Sequence, residues 1–454
     1  MAAHMPTSRT PAVAPAVVSA QGAGLSPPPY RVVRALLRSG LRLVTIEAAH
    51  LHTASIVLYV RAGARYETAR SNGLSHFVEH MLFRGSSGFP DSYALNLAIE
   101  RLGGTLYAET GRDYSLFQIS LAPGDVDGGL CILGDLFASP TFRDIELERR
   151  IIIEEIREDL DDRGRNVNLD DVSRAAAWAD HPLGYAITGP LRNVRGFKVD
   201  DVRRHFRRFY GGRNMVLCVG GPVRHARVAP VARRAFAAVP AGRRAPTRAP
   251  RMPGGGPRFR WVDNDGAQVE IQILFHALPE RDPDYLPLAA LLRVLDDGMS
   301  TRLHYRICDQ KGLAYSVNGA LEPLHDTALL EVDASCSPVK LPRLLREALG
   351  ILAGFRDELV SDAELEKAKH RYRRDLEASY DDLDGLCGWF GGTELYFRPR
   401  PQSERLRRMQ QVRPVDIQRA ARRVIRPERL TVAIVGTRHQ ALVRRVAQIV
   451  RAFR

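Results

Sequence analysis

In a chain of 454 residues, two histidines and a glutamate stand close together in one apolar run, Ser75-His76-Phe77-Val78-Glu79-His80-Met81-Leu82-Phe83. The run predicts a helix. At about 100° per residue, His76 and His80 project about 40° apart and Glu79 about 60° to the other side, so all three address one point beyond the helix surface. Two imidazoles one turn apart supply two of the three protein ligands of a catalytic zinc, and a carboxylate beside them can accept a proton from water. The third ligand has to come from elsewhere. Taken alone, the five residues also fit an ordinary helix with two surface histidines.

A second stretch offers candidates. Asp144 to Leu160 reads as a helix on which Glu148 and Glu155, seven apart, lie within about 20° of one another around the axis. Ile151 and Ile152 are expected in that same sector, and Glu154 points elsewhere. A carboxylate among isoleucines on the buried side of a helix is costly unless something positive compensates it, and a metal would do so. A solvated helix with incidental carboxylates explains the spacing equally well.

These two helices need a framework. Leu41 to Glu47 and Ala54 to Arg61 read as strands, and Ala62-Gly63-Ala64 turns the chain toward the histidine helix. Gly85 to Gly88 ends that helix; an amphipathic helix follows at Tyr93 to Leu102, closed by Gly103-Gly104. Strands are expected at Thr105 to Glu109 and Tyr114 to Leu121, and a further helix at Val126 to Phe137. Beyond a Pro/Gly/Ala/Arg-rich stretch from 240 to 257, read as a linker, the order of elements repeats. Val269 to Phe275, Leu329 to Ala334 and Leu430 to Val435 are strands there. Leu286 to Leu295, Leu341 to Phe355 and a segment from the capping box Ser361-Asp362-Ala363-Glu364 are helices. Leu442, Val446 and Ile449 mark a last amphipathic helix. The second half carries no histidine pair of this kind. The expected organisation is a disordered arm at 1–29, a metal-binding domain at 30–239, the linker, and a similar domain without the motif at 258–454. The fold class is α+β, two similar domains, each a mainly antiparallel sheet packed against helices.

Composition narrows the function classes. Lys+Arg number 66 against 52 Asp+Glu, giving a net charge of +14, and only Lys198, Lys311, Lys340, Lys367 and Lys369 are lysines. The arginines are spread over the whole chain rather than gathered on one face with stacking aromatics, which argues against nucleic acid as a partner. No run is long and apolar enough for a membrane span. Cys131, Cys218, Cys308, Cys336 and Cys387 are odd in number and widely spaced, so neither a disulfide framework nor a thiolate metal site is expected. Val18-Ser19-Ala20 would pass as a signal-peptidase site, but Pro11 and Pro15 interrupt the stretch before it, and a cytoplasmic location is the expectation.

Three stretches together resemble the pitrilysin family of zinc metallopeptidases: Ala62-Gly63-Ala64-Arg65-Tyr66-Glu67, Gly73 through Gly85, and Glu148 through Ile156. The half-size members, related to the β subunit of the mitochondrial processing peptidase, are the most similar. The likeness continues through Asp180-His181-Pro182-Leu183-Gly184 and Asn214-Met215-Val216-Leu217 into the second half. It implies that His76, His80 and Glu155 bind Zn2+, that Glu79 is the general base, and that Glu148 supports the site from two turns away. It also implies that Thr105-Leu106-Tyr107-Ala108-Glu109-Thr110 is an edge strand to which an extended peptide adds by backbone pairing. Leu106, Tyr107, Ala108 and Thr110 are the implied substrate-binding positions; Ala108 and Thr110 match the family's pattern, whereas Tyr107 replaces the usual asparagine.

The second half departs from the family. Lys311-Gly312-Leu313-Ala314-Tyr315-Ser316-Val317 resembles a segment in which the tyrosine binds substrate together with an arginine seven residues earlier. Here Tyr315 is present and the earlier position is Cys308. Arg306 would lie about 200° away on a helix. Half-size members form a chamber from two chains, so the broken pair implies a heterodimer with a non-catalytic pitrilysin-like partner that lacks zinc and supplies the Arg and Tyr; a homodimer is the second choice. The expected activity is endopeptidase cleavage of extended peptides. Two alternatives of the same fold are a peptide-binding or structural subunit and a dedicated processing peptidase for one precursor.

Overall fold

A computed structural model describes residues 28–179, 181–251 and 254–454. The arm assigned to 1–29 therefore falls almost wholly outside the described residues. The first sheet holds β1 (Arg31–Leu36), β2 (Arg42–Glu47), β3 (Ala54–Val60), β4 (Thr105–Thr110), β5 (Ser115–Leu121) and β6 (Met215–Gly221), in the order β1-β2-β6-β3-β5-β4. The second holds β7 (Arg258–Val262), β8 (Val269–Ala277), β9 (Val317–Pro323), β10 (Ala328–Cys336) and β11 (Leu430–Val435), in the order β7-β11-β8-β10-β9. Without β1 the two orders coincide. In each, one parallel pair (β2 with β6, β7 with β11) is followed by three antiparallel pairings. The fold is α+β with two similar, mainly antiparallel sheets, each packed against helices.

Strands β3 and β6 are buried along their whole length, and their sequences are continuous apolar runs rather than alternations. Both faces of the sheet must then be covered. On one face Ile56, Leu58, Phe117 and Leu217 pack against helices of the same half, among them Leu74–Leu82, Val126–Ala138 and Val199–Phe209. On the other, Val44, Val57, Tyr59 and Cys218 meet Leu386, Cys387, Phe390 and Leu395 from the second half. The favour is returned. The first-half helix Leu169–Ala177 sends Val172 against Val262, Ala433 and Val435, and Ala177 with Trp178 joins Leu274 and Leu329. Within that contact the buried Arg174 donates to Glu331 at 2.5 Å and pairs with Glu322 at 2.8 Å, so the exchanged cover is bonded as well as packed.

Where the sequence pattern was strong, the elements fall where expected: the histidine helix spans Leu74–Leu82, the acidic helix Ile145–Glu158, and the capping box opens Asp362–Ala378 at Ser361. One expectation is corrected. Ile151 is 43% exposed and shares no buried sector with Glu148; Ile152 and Ile156 form the apolar side instead. Between Ala235 and Arg258 the described residues form neither helix nor strand. Among the described residues, no helix is long and apolar enough to cross a membrane.

Candidate metal centre

The helix Leu74–Leu82 is anchored by Phe77, Val78, Met81 and Leu82, all fully buried. Its start is shaped by Gly73, in the left-handed region at φ 100°, where a Cβ would lie 2.7 Å from the Thr188 carbonyl oxygen. With the apolar side fixed inward, His76, Glu79 and His80 turn toward the acidic helix Ile145–Glu158.

One ligand atom each from His76, His80 and Glu155 lies within 4.8 Å of the others, the one group of this kind among the described residues that could hold a metal ion. His76 Nε2 is 3.4 Å from Glu155 Oε1, and His80 Nε2 is 3.6 Å from Glu155 Oε2. Ligands about 2.1 Å from a tetrahedral zinc stand roughly 3.4 Å apart. The two histidine–carboxylate separations, one to each oxygen of Glu155, are close to an edge of that tetrahedron, and the donor set of two imidazoles and a carboxylate suits zinc and leaves a fourth position open.

Glu148 is buried, and its Oε2 lies 3.0 Å from His80 Nδ1. An Nδ1–H bonded there leaves Nε2 as the lone-pair atom facing Glu155. Arg84 also donates to Glu148. Burial alone would push the Glu148 carboxyl up, but the His80 and Arg84 contacts outweigh it and hold it below the usual carboxylate range. Glu155 behaves likewise: burial raises it, and His76 with His80 brings it below that range. Burial would lower His80, and Glu148, Glu155 and Glu79 together pull it above the ordinary value.

Glu79 accepts a hydrogen bond from Thr110 Oγ1 at 2.5 Å, which ties the histidine helix to the end of β4. Among the described residues, that strand lies at the edge of its sheet, with β5 its single strand neighbour. Leu106 and Ala108 pack into the core, while Tyr107 is 54% exposed and donates to Glu109 Oε2 at 3.2 Å. A cleft of about 370 Å³ beside this strand brings together His76, Glu79, Thr110 and Glu155. Glu109, Asp159, Asp170 and Asp171 also line it; Arg112 pairs with Asp170 at 2.9 Å and with Asp171 at 3.5 Å, so the acidic character of the cleft rests on Glu109 and Asp159, which have no ion pair among the described residues. Those aspartates escaped the sequence reading, because nothing in a charge-rich stretch marks which carboxylates face a cleft.

Tyr315 is not brought to the cleft. It lies in the second half, 97% exposed, and Cys308 is half-buried in the π-helical turn His304–Asp309. Arg306 pairs with Glu347 at 3.6 Å.

Residues 42–191 match the family model described as Insulinase (Peptidase family M16), and residues 196–372 match the one described as Peptidase M16 inactive domain. The chain belongs to peptidase family M16. The candidate ligands His76, His80 and Glu155 sit in the first match, and the M16 domain described as inactive covers much of the half that lacks such a group. An uncharacterized zinc protease of Mycobacterium bovis is 28% identical to it over 412 residues, covering 89% of this chain and 92% of that protein. A probable mitochondrial-processing peptidase subunit beta of Schizosaccharomyces pombe is 27% identical over 420 residues, covering 88% and 90%. Among solved structures, a protease from Helicobacter pylori superposes with a TM-score of 0.82 at 19% identity, over 90% of this chain and 99% of that one, and shares the fold.

Proposed function

We propose that this M16 chain is a zinc-dependent endopeptidase subunit that cleaves extended peptides, with a second chain completing the site. The observation that carries the reading is the convergence of His76, His80 and Glu155 at ligand separations, with Glu79 held beside them by the last residue of an edge strand. His76, His80 and Glu155 would hold the zinc. When bound, the metal supplies a Lewis acid and lowers the pKa of a water to about 7. Glu79 takes the proton of the attacking water and returns it to the leaving amine. Thr110 restrains one carboxylate oxygen of Glu79, leaving Oε1 for that transfer. Glu148 fixes the His80 ring through Nδ1.

Strand β4 offers its unpaired backbone edge to the substrate. With Leu106 and Ala108 fixed in the core, the alternate positions Tyr107 and Glu109 are free to meet substrate side chains. The acidic lining favours peptides carrying basic residues near the cleaved bond.

In the second half, Tyr315 stands exposed without an arginine seven residues before it. The chain accordingly works with a pitrilysin-like partner that has no metal set but supplies both residues. The described cysteines are all free, which suits a reducing, cytoplasmic setting. Purify the chain alone and with candidate partner chains of the same fold, and measure hydrolysis of a mixed peptide library. Activity appearing or rising with one partner is expected. Full activity from the chain alone, unimproved by any partner, would sink the heterodimer.

A further inference from the structure

Two residues of one turn, Arg65 and Glu67, reach in opposite directions. Glu67 is 4% exposed, yet no ion pair among the described residues neutralises it. Its carboxylate instead accepts three N–H donors: Asn72 Nδ2 at 3.0 Å and the Gly73 amide at 2.9 Å on Oε2, and the Ser75 amide at 2.7 Å on Oε1. Those amides open the helix that carries His76, Glu79 and His80. Gly73 has no side chain to cap it, so the cap comes from Glu67, six residues upstream. A negative charge at a helix N-terminus is favourable, and a buried carboxylate has little tolerance for losing its donors. The position of the helix is thereby fixed to the position of Glu67.

The other arm of the turn crosses to the second half. Arg65 is buried, and its Nη1 donates to Asp113 Oδ1 at 2.8 Å, its Nη2 to Asp326 Oδ2 at 2.6 Å and to the Arg248 carbonyl oxygen at 3.1 Å. Asp326 sits at the tip of the β9–β10 hairpin. Its neighbour His325 donates its backbone N–H to Asp113 Oδ2 at 2.7 Å, and the imidazole stacks on Tyr396 at 4.5 Å. Gly63, at φ 145°, lets the turn lie against the loop carrying Asp113: a Cβ there would be 2.4 Å from the Gly111 carbonyl oxygen. The Arg65 amide donates to the Arg112 carbonyl oxygen at 3.0 Å, and Glu67 N–H to Ala64 O at 3.1 Å, so little slack separates the two arms.

We propose that Glu67 is a positioning residue of the peptidase reaction, aiming the metal-binding helix, and that Arg65 makes this cap depend on docking of the second half's β9–β10 hairpin. The proposal rests on the helix being the catalytic one. An undocked hairpin releases Arg65, the turn shifts, and the helix loses the amide bonds that hold its first turn.

Hydrogen exchange of the Gly73–Phe77 amides, the visible spectrum of the cobalt-substituted protein, and kcat with KM separate this from a merely structural role. E67Q presents one amide nitrogen toward an N–H donor and is expected to speed that exchange and alter the cobalt spectrum. Its kcat should fall on the order of tenfold at unchanged KM. Asp326→Asn, on the second half and partly exposed, is expected to move the same readouts in the same direction by less. The double variant should be no worse than E67Q, because the hairpin acts through the cap. Unchanged exchange and spectrum in E67Q, or full additivity in the double variant, would overturn the proposal. If E67Q does not fold, unchanged exchange in Asp326→Asn alone overturns it. Hydrolysis by Glu79→Gln at the wild-type rate would defeat the peptidase reading instead, while exchange still judges the cap.

Discussion

Replacing Glu148 by Gln should weaken zinc binding without removing a ligand. Its Oε2 lies 3.0 Å from His80 Nδ1, and Arg84 is bonded to the same carboxylate. Gln keeps the shape and one acceptor but removes the charge, so the bond that fixes His80 falls from charge-assisted to neutral and Arg84 loses its counter-ion. Hydrogen bonds to charged groups contribute about 1.5–3 kcal/mol against about 1 for neutral ones, so a loss of about 0.5–2 kcal/mol at the metal is expected. At about 1.4 kcal/mol per decade this is roughly two- to thirty-fold in affinity, overlapping the range of about 10–100-fold typical when the partner of a metal-bound histidine is removed. Titration against a competing fluorescent chelator measures it, with circular dichroism confirming the fold. Glu155→Gln, which weakens a ligand itself, should lose more. A folded Glu148→Gln protein with wild-type zinc affinity would refute the reasoning, because His80 would then need no carboxylate to orient it.

Burial pushes His276 from 6.5 down to about 3, with its Nε2 3.0 Å from the Ala177 carbonyl oxygen and its ring 4.2 Å from Trp178. The folded-state pKa is depressed, so below 6.5 the unfolded chain takes up a proton that the folded one refuses, and stability falls as pH drops toward 3. From pH 7 to 5 this one residue should cost about 2 kcal/mol, seen in urea midpoints as a slope that His276→Gln flattens; an equal slope in both proteins contradicts it. Phe390→Ala removes an aromatic side chain that is 4% exposed and packed between the second half and the outer face of the first sheet. A loss of about 3–5 kcal/mol is expected, with hydrogen exchange rising in 383–397 before the rest of the chain; a melting temperature within a degree of wild type would contradict it.

The histidine helix was legible because it is short, apolar and periodic, and Glu155 was put forward as the third ligand because the family resemblance chose among carboxylates that spacing left equal. Other features were not. Strands β1, β6, β7 and β9 escaped notice: Arg31–Leu36 and Arg258–Val262 carry several arginines, Met215–Gly221 ends in Gly220 and Gly221, and Val317–Pro323 ends in Glu322 and Pro323, patterns that do not announce a strand. The helix Leu169–Ala177 and the segment around Phe390 escaped for another reason. Each buries its apolar side against the opposite half, so its partner lies far away in sequence. Ile151 was misassigned because a 100° step leaves a sector edge ambiguous by one residue, and packing chose Ile152 and Ile156. The cap from Glu67 was invisible for want of any local signal: the residue lies outside the usual capping positions and finds its helix only through the turn at Gly63.

The most direct test of the central claim is zinc stoichiometry measured alongside peptide hydrolysis for wild type, Glu79→Gln and His76→Ala, each with its partner chain present. One zinc per chain is expected in wild type and Glu79→Gln, hydrolysis in wild type alone, and neither in His76→Ala. Zinc retained by His76→Ala, or hydrolysis retained by Glu79→Gln, would contradict a catalytic zinc held and served by these residues.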